Sequence, residues 1–377
     1  MTNSAFHTRD ALFLETREIR SLVDFLKHGK YTVLGPVVSR GAITCGELSS
    51  VDDLPVGLTD EQDAGVFRME KTGAPLLFGY GPTALSWKPF LLPPESTLFK
   101  VQKQGAGFSV IPEVPSELKY AFVGVRSCDL AAIDLLDRVF MKGPYPDPGY
   151  SSIRKNLFIL AVDCTRAGGT CFCTSMKTGP RALAGFDIAL TEVFQGSSHY
   201  FLARPGTRRG RTLLDRTCAR TASADEIQVA DTLLDQASRN MGRSLDMSGI
   251  SRIFSDKFNH EGWDEISRQC LTCGNCTGIC PTCFCTTVED LNAIDGSRAR
   301  RLRKWDTCLS REFSHMHGGS IRSSQTARYR QWMTHKLVTC NDQFGVPGCV
   351  GCGRCITWCP AGIDITKGAE KILGRDL

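Results

Sequence analysis

Two cysteine runs of identical spacing constrain this chain more than any other feature of its sequence. The first run is Cys270-Leu-Thr-Cys273-Gly-Asn-Cys276-Thr-Gly-Ile-Cys280-Pro281, and the second is Cys349-Val-Gly-Cys352-Gly-Arg-Cys355-Ile-Thr-Trp-Cys359-Pro360. Both follow the pattern C-x2-C-x2-C-x3-C-P, which is the bacterial spacing for [4Fe–4S] clusters. Two-residue gaps let a tight loop wrap three thiolates around one cluster, while the fourth cysteine, fixed by the proline, points away.

The fourth cysteine of each run is expected to serve the other run's cluster, as in two-cluster ferredoxins. The predicted ligand sets are Cys270, Cys273 and Cys276 with Cys359, and Cys349, Cys352 and Cys355 with Cys280. The 68 residues between the runs leave uncrossed ligation open if the loops lie apart. Zinc or a disulfide framework is the alternative, but zinc usually takes paired C-x2-4-C units without a trailing proline.

Composition sets the broad class of the protein. With 377 residues, 42% hydrophobic and 23% charged, the chain has the profile of a soluble globular protein of two or three domains. A net charge of +5 is too small to indicate nucleic acid binding. No apolar run reaches the length of a membrane span, and residues 1–30 show no apolar signal core. Of the 18 cysteines, 12 lie between Cys270 and Cys359, which predicts metal ligands in a reducing cytoplasm.

The first 250 residues are predicted to form an α/β domain around a β-α-β unit. Its strands are expected at Tyr120–Val125 and Asn156–Val162, with a helix capped by Asp129 and running to Met141. Such a unit implies parallel strands with a right-handed crossover. Cys128 and Cys164 then follow the carboxyl ends of the two strands, the edge at which open α/β sheets bind ligands.

These two cysteines are expected to form a third metal site together with Cys171 and Cys173, which lie in the loop after Cys164. Four thiolates complete a [4Fe–4S] site, and the partly positive end of the following helix suits an anionic cluster. Three alternatives stay open. In the first, Asp129 takes the place of one cysteine ligand. In the second, the four cysteines bind zinc, and in the third they are small buried side chains without a metal.

Several other elements follow from apolar spacing. A helix is predicted over Glu15–His28 with Gly29 as its stop, a hairpin from Phe186–Val193 and His199–Arg204, and a helix over Ala224–Gly242. Residues 243–265 are interpreted as a linker before the last domain.

Residues 251–377 are predicted to form an all-helical ferredoxin-like domain that holds the two clusters. The insertion between the runs is interpreted as mostly helical, over Val288–Leu302 and Thr326–Thr339. Ten Lys and Arg residues lie between Arg298 and Lys336. They form either a solvated face or a cationic surface that raises cluster potentials and binds an acidic partner.

The pentapeptide Thr282-Cys-Phe-Cys-Thr286 repeats Thr170-Cys-Phe-Cys-Thr174 letter for letter. Because eight cluster thiolates are already assigned, Cys283 and Cys285 are interpreted as packing around the clusters. Cys308 is interpreted as a buried small side chain, with a role as a metal ligand as the alternative. There is no complete nucleotide-binding fingerprint and no catalytic triad or carboxylate pair. The chain is therefore predicted to carry electrons rather than to break bonds.

Several longer motifs narrow the family. They are Gly124-Val-Arg-Ser-Cys-Asp-Leu130, Cys171-Phe-Cys-Thr-Ser-Met176, Cys280-Pro-Thr-Cys-Phe-Cys285, Arg303-Lys-Trp-Asp-Thr-Cys308 and Arg328-Tyr-Arg-Gln-Trp332. On these motifs, the chain resembles the iron–sulfur β subunit of cytoplasmic sulfhydrogenases, the NADP-linked [NiFe] hydrogenases. That group is closely similar to the iron–sulfur relay subunit of anaerobic sulfite reductase. The resemblance extends from about residue 31 to residue 371.

The resemblance implies an electron-relay subunit of an oxidoreductase complex that is not catalytic alone. Its expected partners are the small and large subunits of a [NiFe] hydrogenase and a flavin/NADP(H)-binding subunit. Sulfite reductase subunits are the alternative partners, and a redox-sensing iron–sulfur module is a further alternative of a different class.

Overall fold

The computed structural model describes residues 11–113 and 118–374. Residues 1–10, which belong to the segment predicted to lack an export signal, lie outside the described residues. Within these ranges no helix combines the length and the apolar character needed to cross a membrane.

The strands are β1 Leu12–Glu15, β2 Thr32–Ser39, β3 Ala42–Glu47, β4 Leu58–Asp63, β5 Val66–Lys71, β6 Glu95–Gln104, β7 Gly107–Pro112, β8 Tyr120–Val125, β9 Phe158–Val162, β10 Ile188–Gln195, β11 Ser198–Pro205, β12 Arg220–Thr221, β13 Thr286–Asn292, β14 Arg298–Trp305, β15 His315–Met316 and β16 Gly319–Ser320. The α-helices are α1 Glu18–His28, α2 Lys88–Leu91, α3 Ser127–Phe140, α4 Pro148–Asn156, α5 Arg208–Leu214, α6 Ala224–Arg239, α7 Ile250–Asp256, α8 Gly262–Gln269, α9 Asn275–Gly278, α10 Gln325–Thr334, α11 Cys340–Phe344, α12 Arg354–Thr357 and α13 Ile365–Leu373.

An eight-stranded mixed sheet organises the first half of the chain, in the order β12-β1-β11-β10-β9-β8-β2-β3. Its central strands β2, β8, β9 and β10 are parallel, and the outer pairs are antiparallel. Alternate residues of β8 and β9 enter two different cores, since Val123 and Leu160 belong to one and Phe122 and Ile159 to the other. Both faces of the sheet are therefore covered, as parallel strands require.

The predicted β-α-β unit is confirmed, with one correction at its helix. Strands β8 and β9 pair in parallel, and α3 lies between them in the chain. The helix begins at Ser127 rather than at Asp129, and Asp129 does not cap it. Asp129 is buried in the first helical turn, where its carboxylate accepts hydrogen bonds from Arg354. The carboxylate that the local sequence predicts as a helix cap is instead paired with Arg354, which lies far away in the chain.

The other predictions for the first half are confirmed at the level of elements. Helix α1 ends just before Gly29, and β10 and β11 form the predicted hairpin. Helix α6 has a reciprocal capping box between Ser223 and Glu226. The interpretation of residues 243–265 as a linker is wrong, because α7 lies there and Arg243 bonds to the carboxylates of Asp63 and Asp364.

The all-helical architecture predicted for the C-terminal domain is not observed. Residues predicted as the helix Val288–Leu302 instead form a hairpin of β13 and β14, joined by a turn in which Gly296 has a φ of +65°. The Asp-Gly pair at this turn is a strong hairpin signal that the helical interpretation overlooked. The second predicted helix, Thr326–Thr339, is confirmed as α10 followed by a π-helical turn at His335–Thr339.

The hairpin also joins the two halves of the chain. Strand β14 pairs antiparallel with β6, giving a four-stranded sheet in the order β13-β14-β6-β7. Part of the basic stretch lies on this hairpin, where Arg301 pairs with Asp290 and Lys304 with Glu289. These cations are neutralised by their cross-strand neighbours, which favours the solvated-face interpretation for this part of the stretch.

A buried ion pair fixes the second cysteine run against the β-α-β unit. Arg354, which is 2% exposed, donates to both carboxylate oxygens of Asp129 at 2.8 and 2.9 Å, and to the carbonyl oxygen of Thr83 at 2.7 Å. Breaking a buried pair of this kind leaves a charge without its partner and costs about 3–5 kcal/mol.

We therefore expect Asp129→Asn to lower the free energy of unfolding by about 3–5 kcal/mol, measured by anaerobic urea denaturation. The matched control is Asp290→Asn, which breaks the exposed cross-strand pair with Arg301 and is expected to change the free energy of unfolding little. Equal and small effects of the two substitutions would contradict a structural role for the buried pair.

Candidate metal centres

The two cysteine runs fold into loops of the same shape. Thr272 and Gly351, at equivalent positions, have φ values of +50° and +64°, and Gly274 and Gly353 have φ values of +73° and +75°. In each loop a backbone N–H lies 3.4 Å from a cysteine sulfur, from Thr272 to Cys270 and from Gly351 to Cys349. Left-handed residues at two positions per run turn the backbone, which is why glycine is found at three of these four positions.

The cysteines of the first run surround a cavity together with Cys359 of the second run. The cavity has an apolar wall and is lined by Cys270, Leu271, Cys273, Gly274, Cys276, Leu309, Tyr329, Trp332, Cys355, Cys359, Pro360, Ala361, Ile363 and Ile365. The residues that the crossed scheme assigns to the first cluster therefore lie around one space. Cys355 also reaches this cavity and so lies between the two candidate sites.

The hydrogen-bonding groups of this cavity fit an iron–sulfur cluster. Tyr329 Oη and Trp332 Nε1 are buried donors on residues that line it, and neither has an acceptor among the residues that the structure describes. Buried donors without acceptors are rare and costly. The sulfur atoms of a thiolate-ligated cluster accept hydrogen bonds, so a cluster in this cavity would satisfy both donors.

The cysteines of the second run lie near Cys280, the last cysteine of the first run. Electrostatic interactions connect Cys280 to Cys349, Cys352 and Cys355, which are the three other members of the predicted second ligand set. Burial raises the pKa of the Cys349 thiol to about 12. Metal uptake must therefore displace protons from such thiols, and metal affinity is expected to fall as the pH falls.

The four cysteines predicted as a third site also come together. Cys128, Cys171 and Cys173 are buried and Cys164 is half-buried. Electrostatic interactions connect Cys173 to Cys128, Cys164 and Cys171, and burial is the largest cause of the raised pKa of each of the four thiols. Because both carboxylate oxygens of Asp129 are bound by Arg354, the geometry favours four cysteines over a set that includes Asp129.

The third group lies directly against the second cysteine run. Phe172 N donates to Gly351 O at 2.9 Å, and Thr178 Oγ1 donates to Val350 O at 2.7 Å. A Cβ atom on Gly353 would lie 2.5 Å from the carbonyl oxygen of Thr170, so no larger residue fits there without a shift of backbone. Cys128, Cys173 and Cys352 accordingly share one packed cluster of side chains.

In residues 11–113 and 118–374, no three His, Cys, Asp or Glu side chains converge closely enough to hold a single metal ion. A structural zinc ion requires sulfurs about 2.3 Å from one point. The described cysteine groups therefore present no preformed site for one zinc ion.

Sequence reasoning missed four polar residues beside the cysteines, namely Lys88, Arg354, Lys336 and Tyr329. Lys336 is 6% exposed, and its Nζ donates to Cys280 Sγ at 3.3 Å and to Thr282 Oγ1 at 2.7 Å. For Lys336 the available signal was a lysine with the apolar residues Met333 and Leu337 close to it in a predicted helix.

Comparison with known proteins gives the family. Residues 269–363 match the family described as a 4Fe-4S dicluster domain. Over 346 residues the chain is 30% identical to sulfhydrogenase 2 subunit beta of Pyrococcus furiosus, covering 90% of this chain and 92% of that protein. The chain belongs to the sulfhydrogenase β-subunit family. The resemblance inferred from the motifs is confirmed, and the family match supports [4Fe–4S] binding by the two runs.

Two solved structures of SPT, one at low resolution and one with PLP, were also found. They share 11% and 10% identity with this chain over 62% of its length, and the match covers 63% and 57% of their own chains. Their TM-scores are 0.19 and 0.18, so this likeness carries no information about fold or function.

Proposed function

We propose that this sulfhydrogenase β-subunit homologue relays electrons between a [NiFe] hydrogenase module and a flavin/NADP(H)-binding subunit. The observation that carries the proposal is the contiguity of the cysteine groups. Cys355 reaches the cavity of the first run, and the loop of Cys171 and Cys173 packs on the second run. When bound, [4Fe–4S] clusters supply one-electron steps, and a row of adjacent sites suits their transfer across a subunit.

The protein's own residues hold and tune these sites. The thiolates bind iron, while Leu309, Ile363 and Ile365 cover the first cavity with apolar side chains that exclude water. Lys336 places a positive charge beside Cys280, and such a charge favours the more reduced and more negative state of a thiolate site. Solvent exclusion and fixed charge are the means by which a protein sets a cluster potential.

Two observations support the partner assignment, the similarity to a sulfhydrogenase subunit and the motifs of the sequence. A sulfhydrogenase subunit works in a multisubunit complex, and this chain has no complete nucleotide-binding fingerprint. NADP(H) and FAD are therefore assigned to a partner chain, and nickel to the small and large hydrogenase subunits. The clustered cysteines, proposed as metal ligands and not as disulfides, support a cytoplasmic location. The proposed domains are residues 1–250 and residues 251–377.

The proposed function predicts that the native complex, purified without oxygen by a tag on this chain, contains nickel and flavin and oxidises hydrogen with NADP⁺. Metal analysis, absorption spectra and hydrogen-uptake assays measure the three properties. If the complex contains sirohaem and no nickel, the partner is a sulfite reductase and the hydrogenase proposal is wrong. A chain that purifies alone, with no redox partner, would favour the sensing module.

We further propose crossed ligation of the two C-terminal clusters. The test uses the identity of the lost EPR signal as a label for each site. Cys359→Ala is expected to remove the same signal as Cys270→Ala, and Cys280→Ala the same signal as Cys349→Ala, because each pair then serves one cluster. If Cys359→Ala removes the signal that Cys349→Ala removes, ligation is uncrossed. Cys218→Ala, at an exposed thiol, is the control that keeps every signal.

We also propose that Cys128, Cys164, Cys171 and Cys173 hold a [4Fe–4S] cluster. Cys173→Ala is then expected to lower the iron content by about four atoms per chain relative to the unsubstituted protein, with both C-terminal signals retained. Cys45→Ala is the matched control, because Cys45 is a buried thiol of the same domain outside the group. An unchanged iron content in Cys173→Ala, together with one zinc atom per chain or none, would contradict the third cluster.

A further inference from the structure

Three cysteines that the proposed clusters do not use lie in two neighbouring thiol pairs, Cys283 with Cys280 and Cys285 with Cys308. Cys283 and Cys285 precede β13, and Cys308 follows β14, so that the base of the hairpin brings distant parts of the sequence into contact. Asp306 N donates to Cys285 O at 2.9 Å, and the Cys285 thiol interacts with the Cys308 thiol. The Cys283 thiol lies next to Cys280.

Two buried lysines face this group. Lys336 interacts with Cys280, Cys283, Cys285 and Cys308. Lys88, which is 3% exposed, interacts with Cys283 and Cys285 as well as with Cys280 and Lys336. Its Nζ donates to the carbonyl oxygen of Thr277 at 3.1 Å and lies 3.9 Å from the centre of the Trp305 ring.

The two ammonium groups lack the counter-charge that burial demands. Within residues 11–113 and 118–374, neither lysine has a carboxylate oxygen within 4 Å; Lys88 Nζ donates to a backbone carbonyl, and Lys336 Nζ to a thiol sulfur, a hydroxyl and a backbone carbonyl. A buried charge without an opposite charge is unstable, and two adjacent cations repel each other. Lys88 and Lys336 both interact with Cys283 and Cys285 in addition to Cys280, so anionic ligands at Cys283 and Cys285 would lie beside both cations.

The internal repeat supplies an independent argument. Both Thr-Cys-Phe-Cys-Thr segments bond to the same loop, since Phe172 N donates to Gly351 O at 2.9 Å and Thr282 Oγ1 donates to Gly348 O at 2.6 Å. The first copy contributes both of its cysteines to a four-thiol group. The second copy presents both of its cysteines to a thiol group as well, with Cys308 as the addition from outside the repeat.

We propose that Cys283, Cys285 and Cys308 are ligands of a further iron–sulfur cluster, adjacent to the second cysteine run and balanced in charge by Lys88 and Lys336. Three thiolates hold three corners of a cubane, as the first three cysteines of each run do. This assignment replaces the interpretation of Cys283 and Cys285 as packing. The site does not depend on which catalytic partner the protein serves, nor on the cluster proposed at Cys128.

The decisive measurement is iron content and EPR of the full chain purified without oxygen. Cys285→Ala and Cys308→Ala are each expected to lose about four irons per chain and one signal, while the signals assigned through Cys270→Ala, Cys349→Ala and Cys173→Ala remain. Cys45→Ala is the control, since Cys45 is a buried thiol that takes no part in the group. Unchanged iron and signals in Cys285→Ala and Cys308→Ala would overturn the proposal.

A second measurement covers the case in which the substitutions prevent folding. Iodoacetamide is applied to the unsubstituted, iron-loaded protein, and the labelled cysteines are located by mass spectrometry. Cys283, Cys285 and Cys308 are half-buried residues, and the exposed Cys218 reports that the reagent is active. We expect no label on these three cysteines before removal of iron and labelling after it. Labelling of Cys285 and Cys308 in the iron-loaded protein would overturn the proposal.

Removal of one lysine tests the charge argument separately from the ligands. Lys88→Met is expected to keep the iron content and to shift the potential of the additional cluster to more negative values, because a cation beside it is lost. Redox titration followed by EPR measures this shift. An unchanged potential would contradict the pairing of Lys88 with this site, and Lys304→Met, at a half-exposed position on the hairpin, is the control.

Discussion

The ion pair between Arg354 and Asp129 is the contact on which the arrangement of the cysteine groups depends. Arg354 lies between Cys352 and Cys355 in the second run, and Asp129 follows Cys128 in the β-α-β unit. One bidentate interaction therefore sets the distance between two groups of thiols that are far apart in sequence. Because the guanidinium group also bonds to Thr83 O, the pair is held from three parts of the chain.

Close contact between two backbone segments also fixes the second cysteine run against the first half of the chain. Gly351 and Gly353 approach the segment from Thr170 to Cys173 so closely that a Cβ atom on either would lie within 2.7 Å of a backbone atom. The glycines thus have two uses, the left-handed conformation that turns the loop and the absence of a side chain where two loops meet. Electron transfer depends steeply on distance, so rigid contact between neighbouring sites is what a relay protein requires.

Sequence reasoning is most successful where local pattern and function coincide. The cysteine runs, the β-α-β unit around Cys128 and the β10–β11 hairpin all follow from spacing or periodicity, and each is present. It fails where a distant partner decides the outcome. The local pattern at Asp129 predicts a helix cap because its partner Arg354 is remote, and the pairing of β14 with β6 is not visible in either segment alone. The helix predicted over Val288–Leu302 failed for a local reason instead, because the Asp-Gly turn of the hairpin was overlooked. Lys88 escapes a sequence-based prediction because a distant partner decides its role, since the fold alone brings the thiols close to it.

The pairing of β14 with β6 has a consequence for how the protein must be made and handled. If the chain is cut or stalled before Arg298, β6 keeps β7 on one side and presents an unpaired backbone edge on the other. Val101 and Phe99 lie on this strand, and an open edge of this kind recruits other strands into aggregates. During synthesis, residues 1–297 are made before the strand that covers this edge exists. The nascent chain is therefore most vulnerable to aggregation in that interval, before either the second cysteine run or its iron is available.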